Sequence, residues 1–116
     1  MSRFVLITGC STGFGRATAV EATRRGHEVI ATARDVATLD DLDVAERLSL
    51  DVTDRASITA AVAQAGRLDA LVNNASAFYP TPIGSVTPAQ WDELFASNAR
   101  APFFLAQAVA PHLKAT

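Results

Sequence analysis

The segment FVLITGCSTGFGRATA, residues 4–19, constrains the fold of this chain more than any other stretch. It runs from a short apolar, strand-like sequence through three glycines into alanine-rich sequence that favours a helix. Glycine in a strand-to-helix turn can adopt positive φ, and without a Cβ it lets a bound pyrophosphate approach the backbone closely. The N-terminus of the following helix offers unpaired N–H groups and a partial positive charge. The segment therefore predicts a dinucleotide phosphate site.

Strand-like and helix-like patterns alternate along the next part of the chain. The predicted strands are residues 3–8, 27–33, 47–50 and 68–73. The predicted helical segments are residues 16–25, 36–42 and, after a cap on Thr53 or Asp54, a helix to residue 65. This order is typical of parallel strands joined by right-handed crossovers. We expect a single α/β domain over residues 1–116, a Rossmann-type doubly wound parallel sheet with strand order 3-2-1-4.

A long helix is predicted after the loop at residues 75–86. The sequence TPAQ is a capping box, with Thr87 as N-cap and Gln90 at the third helical position. Pro102 should kink this helix. Asn98 lies on the helix's apolar stripe, so we expect a buried amide that needs hydrogen-bond partners. The stripe, which we expect to face the sheet, contains Trp91, Leu94, Phe95, Pro102, Leu105 and Val109.

Composition excludes several classes of function for this chain. A net charge of -2 and scattered arginines provide no basic tract for nucleic acid, and the apolar runs are too short to span a membrane. No secretory signal follows Met1, so we expect a cytoplasmic protein. Cys10, the only cysteine, is interpreted as a packing residue. His27 and His112 lack metal-ligand spacing, and no metal site is predicted.

The pattern TGxxxGxG and several later motifs together resemble the short-chain dehydrogenase/reductase family. Asp51-Val52 resembles the pair that touches the adenine ring in that family, and Asn73-Asn74-Ala75 resembles its NNAG element, with Ser76 where glycine is usual. Asn98 matches a family asparagine that orders a water in a proton relay; a satisfied core asparagine is the alternative. The resemblance covers essentially the whole chain. The cofactor-binding residues that it implies are Gly9, Ser11, Thr12, Gly13, Phe14, Gly15, Asp51, Val52, Asn74, Ala75 and Ser76.

The end of the second predicted strand indicates which cofactor is bound. An NAD enzyme needs a carboxylate there for the ribose 2′-hydroxyl, but the sequence has Ala33-Arg34. Arg34 can form charge-assisted hydrogen bonds to a 2′-phosphate, and Ala33 removes the repulsive acid. Asp35 is one residue further on and is expected to face solvent, although a shifted turn would reverse this preference. NADP(H) is therefore the predicted cofactor.

The loop after the fourth strand bears on the substrate. NNASAFYPTPIG resembles the pteridine reductase branch, which implies that Phe78 stacks on a pterin and that Tyr79 shapes the pocket wall. TGCSTGFGR and ATARD look more like carbonyl or hydroxysteroid reductases. The predicted substrate is therefore a small carbonyl, alcohol or pterin, and Phe78 is alternatively a loop anchor.

The catalytic serine and the YxxxK element of the family have no counterpart in this sequence. The only tyrosine, Tyr79, has Ile83 four residues later, and the only lysine is Lys114. Two interpretations stay open: a portion of an NADP(H)-dependent oxidoreductase, cut short after the helix that follows the fourth strand, or a non-catalytic nucleotide-binding or interaction module. We expect residues 1–116 alone to be inactive. We also expect a homo-oligomer, because the apolar fourth strand would be an open edge.

Overall fold

The computed structural model describes residues 2–114, which form a parallel sheet with helices on both faces. The strands are β1 (Phe4–Ile7), β2 (Glu28–Ala33), β3 (Glu46–Ser49) and β4 (Ala70–Val72). The helices are α1 (Gly13–Arg24), α2 (Arg55–Ala65), α3 (Pro88–Phe95) and α4 (Ala101–Lys114). A 3₁₀ helix (Val36–Leu39) follows β2, and a π-helical segment (Ala96–Arg100) joins α3 to α4. The predicted α/β class is confirmed.

The order of the strands confirms the predicted topology. The sheet has the order β3-β2-β1-β4, and every neighbouring pair is parallel. The chain leaves β1 toward β2 on one side, and β4 returns to the other side of β1. Such a reversal opens a crevice beyond the carboxyl ends of the strands, where open α/β sheets bind their ligands.

Successive residues of the strands alternate between two cores, one on each face of the sheet. Leu6 and Ile30 face the core that contains α2 and α4, with Leu105 and Val109 fully buried in it. Ile7 contributes to the other core, which holds α1 and the 3₁₀ helix. Because both faces are covered, the sequences of β1, β2 and β4 are largely continuous apolar runs, whereas the edge strand β3 buries only Leu48. The sheet is therefore doubly wound, as predicted.

The start of α1 lies against the end of β1 at a distance that only glycine permits. A Cβ at Gly15 would lie 2.2 Å from the carbonyl oxygen of Gly9 and 2.5 Å from Nδ2 of Asn74. The helix begins at Gly13, three residues before the predicted start. The third glycine of the motif is thus a helix-packing residue, and it brings the N-terminus of α1 to the crevice.

A buried hydroxyl joins β1 to the segment after β4. Thr8, which is 1% exposed, accepts hydrogen bonds from the backbone N–H groups of Asn74 (3.0 Å) and Ala75 (2.9 Å). The Asn74 side chain in turn donates to the carbonyl of Gly9 at 3.3 Å. Two segments more than sixty residues apart in sequence are therefore held together beside the glycine turn.

The apolar stripe predicted for the last helix is only half correct. The capping box of Thr87 and Gln90 is present, but Trp91 and Phe95 stack on each other at the surface and are 59% and 49% exposed. The buried side chains of this region are Leu105 and Val109, as predicted, together with Ser97 and Ala101, which the predicted stripe did not include.

The expectation of a buried Asn98 amide is wrong, because the face of α3 that carries Trp91 lies at the surface and Asn98, two turns later, continues that exposed face. Ala101 N–H donates to the carbonyl of Ala96, five residues back, and this π-type turn rotates the later residues relative to an ideal α-helix. Leu105 is therefore buried although Asn98, seven residues before it, is exposed. We expected a kink at Pro102, which has no N–H to donate to the Asn98 carbonyl. The irregular turn lies just before the proline, in the π-helical segment.

We expect Gly15→Ala to destabilise the fold more than Gly13→Ala. The new Cβ at position 15 meets backbone atoms of Gly9, and overpacking of this kind costs about 1–3 kcal/mol or more. The Cβ at position 13 meets nothing within 4 Å and adds only the strain of a left-handed backbone, about 1–2 kcal/mol. Urea unfolding of both variants measures the difference. Equal losses would show that α1 does not depend on the close contact.

Candidate functional site

A cleft of about 670 Å³ opens at the carboxyl ends of β1, β2, β3 and β4. Its walls come from the glycine turn, from the residues after β2 and β3, from the segment after β4 and from one side of α3 and the π-helical segment. The lining residues are Gly9, Ser11, Thr12, Gly13, Phe14, Ala33, Arg34, Leu50, Asp51, Val52, Thr53, Asn74, Ala75, Ser76, Ala77, Glu93 and Ser97.

The structure brings together nearly all the residues that the sequence predicted for cofactor binding. Of that set, including Arg34, only Gly15 does not line the cleft, because it is buried under Gly9. These residues come from four separate parts of the sequence, and the parallel sheet collects them because the carboxyl ends of its strands lie along one edge.

The glycine turn has the features of an anion site. Gly9 and Gly13 adopt positive φ values of 70° and 66°, as expected for a turn that only glycine makes without strain. Thr12, the N-cap of α1, makes no side-chain capping hydrogen bond, and the first turn contains no acidic residue. The first N–H groups of α1 are therefore left to a ligand. The open space around Gly13 leaves room for one.

The segment after β2 contributes an exposed cation, Arg34, next to the uncharged Ala33. Arg34 lines the cleft, and Ser49 holds its backbone by donating to the Arg34 carbonyl at 3.0 Å. Within residues 2–114 the Arg34 side chain has no hydrogen bond or salt bridge. Asp35 does not line the cleft; its carboxylate accepts from Ala37 N–H and caps the 3₁₀ helix.

Asp51 and Thr53 form a local turn on the opposite wall. The Thr53 hydroxyl (2.7 Å) and its N–H (3.0 Å) both donate to the Asp51 carboxylate. These hydrogen bonds, aided by the positive charge of Arg34, hold the pKa of the Asp51 carboxyl below its usual value. The carboxylate is thus already occupied by its own turn. Val52 beside it offers an apolar surface for a flat ring.

Asn98 fastens the segment after β4 at the far end of the cleft. Its Nδ2 donates to the carbonyl of Ala77 at 2.7 Å, so the amide is outside the sheet core yet adjacent to a lining residue. Phe78 is 90% exposed and does not line the cleft. Its predicted contact with substrate stays a prediction.

Tyr79 is also outside the lining, and its hydroxyl points to α3. The hydroxyl oxygen lies 3.3 Å from Glu93 Oε2 and 3.4 Å from the Gln90 carbonyl oxygen, so it can donate to either. Desolvation and the neighbouring Glu93 carboxylate raise the pKa of Tyr79. These contacts fasten the loop to α3. The predicted contribution of Tyr79 to the pocket wall stays a prediction.

Five of the residues that line the cleft are not among the predicted ligand contacts: Leu50, Thr53, Ala77, Glu93 and Ser97. Thr53 had a recognisable signal, because a threonine two residues after an aspartate often forms such a turn. Glu93 and Ser97 are spaced i, i+4 and so share a helix face. Nothing local indicated that this face turns toward the cleft.

Residues 2–114 contain no cluster of three or more metal-ligating side chains. Among the same residues, no helix has the length and apolar character needed to cross a bilayer. Cys10 is fully buried, its thiol donates to the Ile7 carbonyl at 3.3 Å, and burial raises its pKa. This environment fits the packing interpretation.

The chain resembles known proteins over nearly all its length. The sorbitol dehydrogenase of Cereibacter sphaeroides is 41% identical to it across an alignment of 119 residues, which covers 90% of this chain and 44% of the relative. The chain spans about half the length of the curated relatives it matches. The similarity therefore concerns one segment of those proteins.

Two solved structures share the fold closely. A metagenomic short-chain oxidoreductase in complex with NADP superimposes with a TM-score of 0.88 at 35% identity, covering 97% of this chain and 57% of that protein. A 3-ketoacyl-(acyl-carrier-protein) reductase from Brucella melitensis complexed with NADH gives 0.89 at 28% identity, covering 97% and 51%. The sequence profile of the short chain dehydrogenase family matches residues 3–116. The chain belongs to the short-chain dehydrogenase family.

Proposed function

We propose that this chain is the cofactor-binding part of an NADP(H)-dependent oxidoreductase that acts on a small carbonyl or alcohol. The observation that carries the proposal is the cleft, in which the glycine turn, Arg34, the Asp51 turn and the segment after β4 meet at one sheet edge. A dinucleotide is a long ligand with two phosphates and two rings. It matches a cleft that offers helix N–H groups at one point and flat apolar surface at others.

The residues present fit the pyrophosphate of such a cofactor. The N-terminus of α1 has neither a capping side chain nor an acid in its first turn, so its N–H groups and dipole are directed at an anion. Gly13 leaves the approach open, and Ser11 and Thr12 line the same wall. Asp51 and Val52 would border the adenine ring.

Arg34 is the proposed contact of the 2′-phosphate. Its guanidinium makes no hydrogen bond or salt bridge within the described residues, whereas the nearest acid on the same turn, Asp35, is committed to capping the 3₁₀ helix. A carboxylate held away from the cleft neither binds a ribose 2′-hydroxyl nor repels a 2′-phosphate. Since the similar structures include one with NADP and one with NADH, the choice rests on these local residues.

The proposed reaction is hydride transfer between the nicotinamide of bound NADP(H) and the substrate carbon. Asn98 is the proposed catalytic-site residue of this chain. Its side chain fixes the Ala77 carbonyl, and its own carbonyl lacks the α-helical partner that residue 102 would supply if it were not proline. A carbonyl in this position can accept a hydrogen bond from an ordered water, which suits a proton relay. Proton donation itself is assigned to no residue of this chain.

Two alternatives make different predictions. A pterin substrate would need Phe78, an exposed aromatic ring one residue beyond the lining residue Ala77, to stack on it. A non-catalytic nucleotide-binding module would bind cofactor through the same cleft without oxidising it.

Arg34→Ala should remove the preference for the phosphorylated cofactor. Loss of a charge-assisted contact worth about 1.5–3 kcal/mol should weaken NADPH binding by about tenfold or more and leave NADH binding nearly unchanged. Fluorescence titration of the purified protein with both cofactors measures this. Arg25→Ala is the matched control and should change neither affinity, because Arg25 is a surface arginine at the C-cap of α1 and pairs with Glu21. Equal affinities of the parent protein for the two cofactors would contradict the assignment.

Gly13→Val should weaken binding of both cofactors by at least about tenfold, which corresponds to 1.4 kcal/mol. A branched side chain would fill the open space where the pyrophosphate has to approach. Gly84→Val is the control, because Gly84 also has positive φ and open surroundings but lies outside the cleft. Calorimetric titration and thermal unfolding of both variants separate lost binding from lost stability. Unchanged affinity in Gly13→Val would show that the turn is not the phosphate site.

Phe78→Ala should distinguish the substrate classes. If the substrate is an aliphatic ketone or alcohol, its affinity for the NADPH-loaded protein, measured by calorimetric titration, should change by less than about threefold, since an exposed ring outside the lining contributes little contact. Ile83→Ala, fully exposed on the same loop, is the matched control. Weaker binding of a dihydropterin in Phe78→Ala alone would favour the pterin substrate. Tight NADPH binding with no binding of either substrate class would favour the non-catalytic module.

A further inference from the structure

We propose that Arg16 is a positioning residue for cofactor selection: it ties the glycine turn to the turn that carries Arg34, and so sets the distance between the two phosphate contacts. The inference rests on the proposed function, in which Arg34 holds the 2′-phosphate. Arg16 itself does not line the cleft, so its effect would pass through the segments that it holds.

The contacts of Arg16 connect two segments that the sheet alone leaves separate. From the first turn of α1, its Nη1 donates to the carbonyl of Ser11 at 3.3 Å and to the carbonyl of Thr38 at 3.4 Å. Its Nη2 lies 2.6 Å from Oδ1 of Asp41. Ser11 is a cleft-lining residue of the glycine turn, while Thr38 and Asp41 belong to the 3₁₀ region after Arg34.

The turn that carries Arg34 is fastened to β3 by other residues, and Arg16 supplies its side-chain link to the glycine turn. Arg47 of β3 donates to the carbonyls of Leu39, at 2.9 Å, and of Leu42 at the far end of the turn. Ser49 donates to the Arg34 carbonyl, and the Thr38 hydroxyl donates to the Asp35 carbonyl at 2.7 Å. These bonds shape the turn and fasten it to β3. Of the side-chain hydrogen bonds and salt bridges found in the described residues, those of Arg16 fasten it to the glycine turn.

The charge of Arg16 supports a positioning role rather than direct attraction of phosphate. The Asp41 carboxylate pairs with the guanidinium, and this contact lowers the pKa of the Asp41 carboxyl, so the pair is close to neutral at physiological pH. The Arg16 side chain is also only 28% exposed. A planar guanidinium with several donors suits three acceptors at once, whereas an ammonium group or an apolar side chain would not bridge them.

The experiment compares the ratio of NADPH to NADH affinity in Arg16→Met and in the parent protein by calorimetric titration. We expect this ratio to fall by about fivefold, less than the tenfold or more for Arg34→Ala, because the charge of Arg34 remains but is less well placed. Arg24→Met is the matched control, since Arg24 lies on the same helix and pairs with Glu21 at 2.6 Å away from the cleft. It should leave the ratio unchanged. A purely structural role of Arg16 would lower both affinities equally and would overturn the proposal.

The double variant Arg16→Met/Arg34→Ala tests whether Arg16 acts through Arg34. We expect the ratio of the double variant to equal that of Arg34→Ala, because contacts in one network are not additive. A further drop would mean that Arg16 attracts the phosphate directly, and the positioning role would be wrong. If the parent protein has no preference for NADPH, the proposed cofactor assignment is wrong, and this inference is wrong with it. If that preference exists and depends on Arg34 but not on Arg16, only this inference fails.

Asp41→Asn provides a second route should Arg16→Met unfold. Asp41 is an exposed residue whose side chain is 76% accessible, so its substitution should leave the fold intact. We expect the affinity ratio to fall about twofold, since Arg16 keeps its two carbonyl acceptors but loses the charged one. A rise in NADPH affinity would show that Asp41 withholds a phosphate-binding charge, and an unchanged ratio would show that the tie does not matter; either result contradicts the proposal.

Discussion

The close contact between Gly15 and the backbone of Gly9 is the constraint on which the rest of the cleft depends. With no Cβ in the way, α1 starts directly at the end of β1, and its N-terminal N–H groups face the crevice between β2 and β4. The Thr8 hydroxyl and the Asn74 amide then attach the segment after β4 to the same point. A larger residue at position 15 would push the helix, the glycine turn and the Asn74 side chain apart together.

The two cores support different parts of the cleft. The core around α1 holds the glycine turn and the 3₁₀ region after β2, which contribute the proposed pyrophosphate and 2′-phosphate contacts. The core around α2 and α4 supports the Asp51 turn and the helical segment that carries Glu93 and Ser97. Because β1 lies in the middle of the sheet and its alternate residues enter both cores, the relative placement of the two walls is set by the packing of that strand.

The π-helical segment shapes the far wall of the cleft. Ser97 and Ala101 are buried, while Asn98 stays on the exposed side with Trp91, where its amide can reach the Ala77 carbonyl. In an uninterrupted α-helix Trp91, Asn98 and Leu105 would share one face. The π-type turn lets Leu105 be buried while Trp91 and Asn98 are exposed, and the Asn98 amide then fastens the loop at the cleft.

The sequence alone determined the strand order, the glycine turn and the capping box at Thr87, because these follow from the alternation of strand and helix patterns and from backbone conformations that few residues adopt. The predicted cofactor-side residues followed from the resemblance to the short-chain dehydrogenase/reductase family, and nearly all of them line the cleft. Tertiary structure decided the rest: the exposed Asn98, the entry of Glu93 and Ser97 into the cleft, and the bridge made by Arg16. These depend on helix register and on contacts between segments that are separated by 20 residues or more. Local sequence patterns do not indicate such contacts, because the contacts form only when the folded sheet brings its loops together.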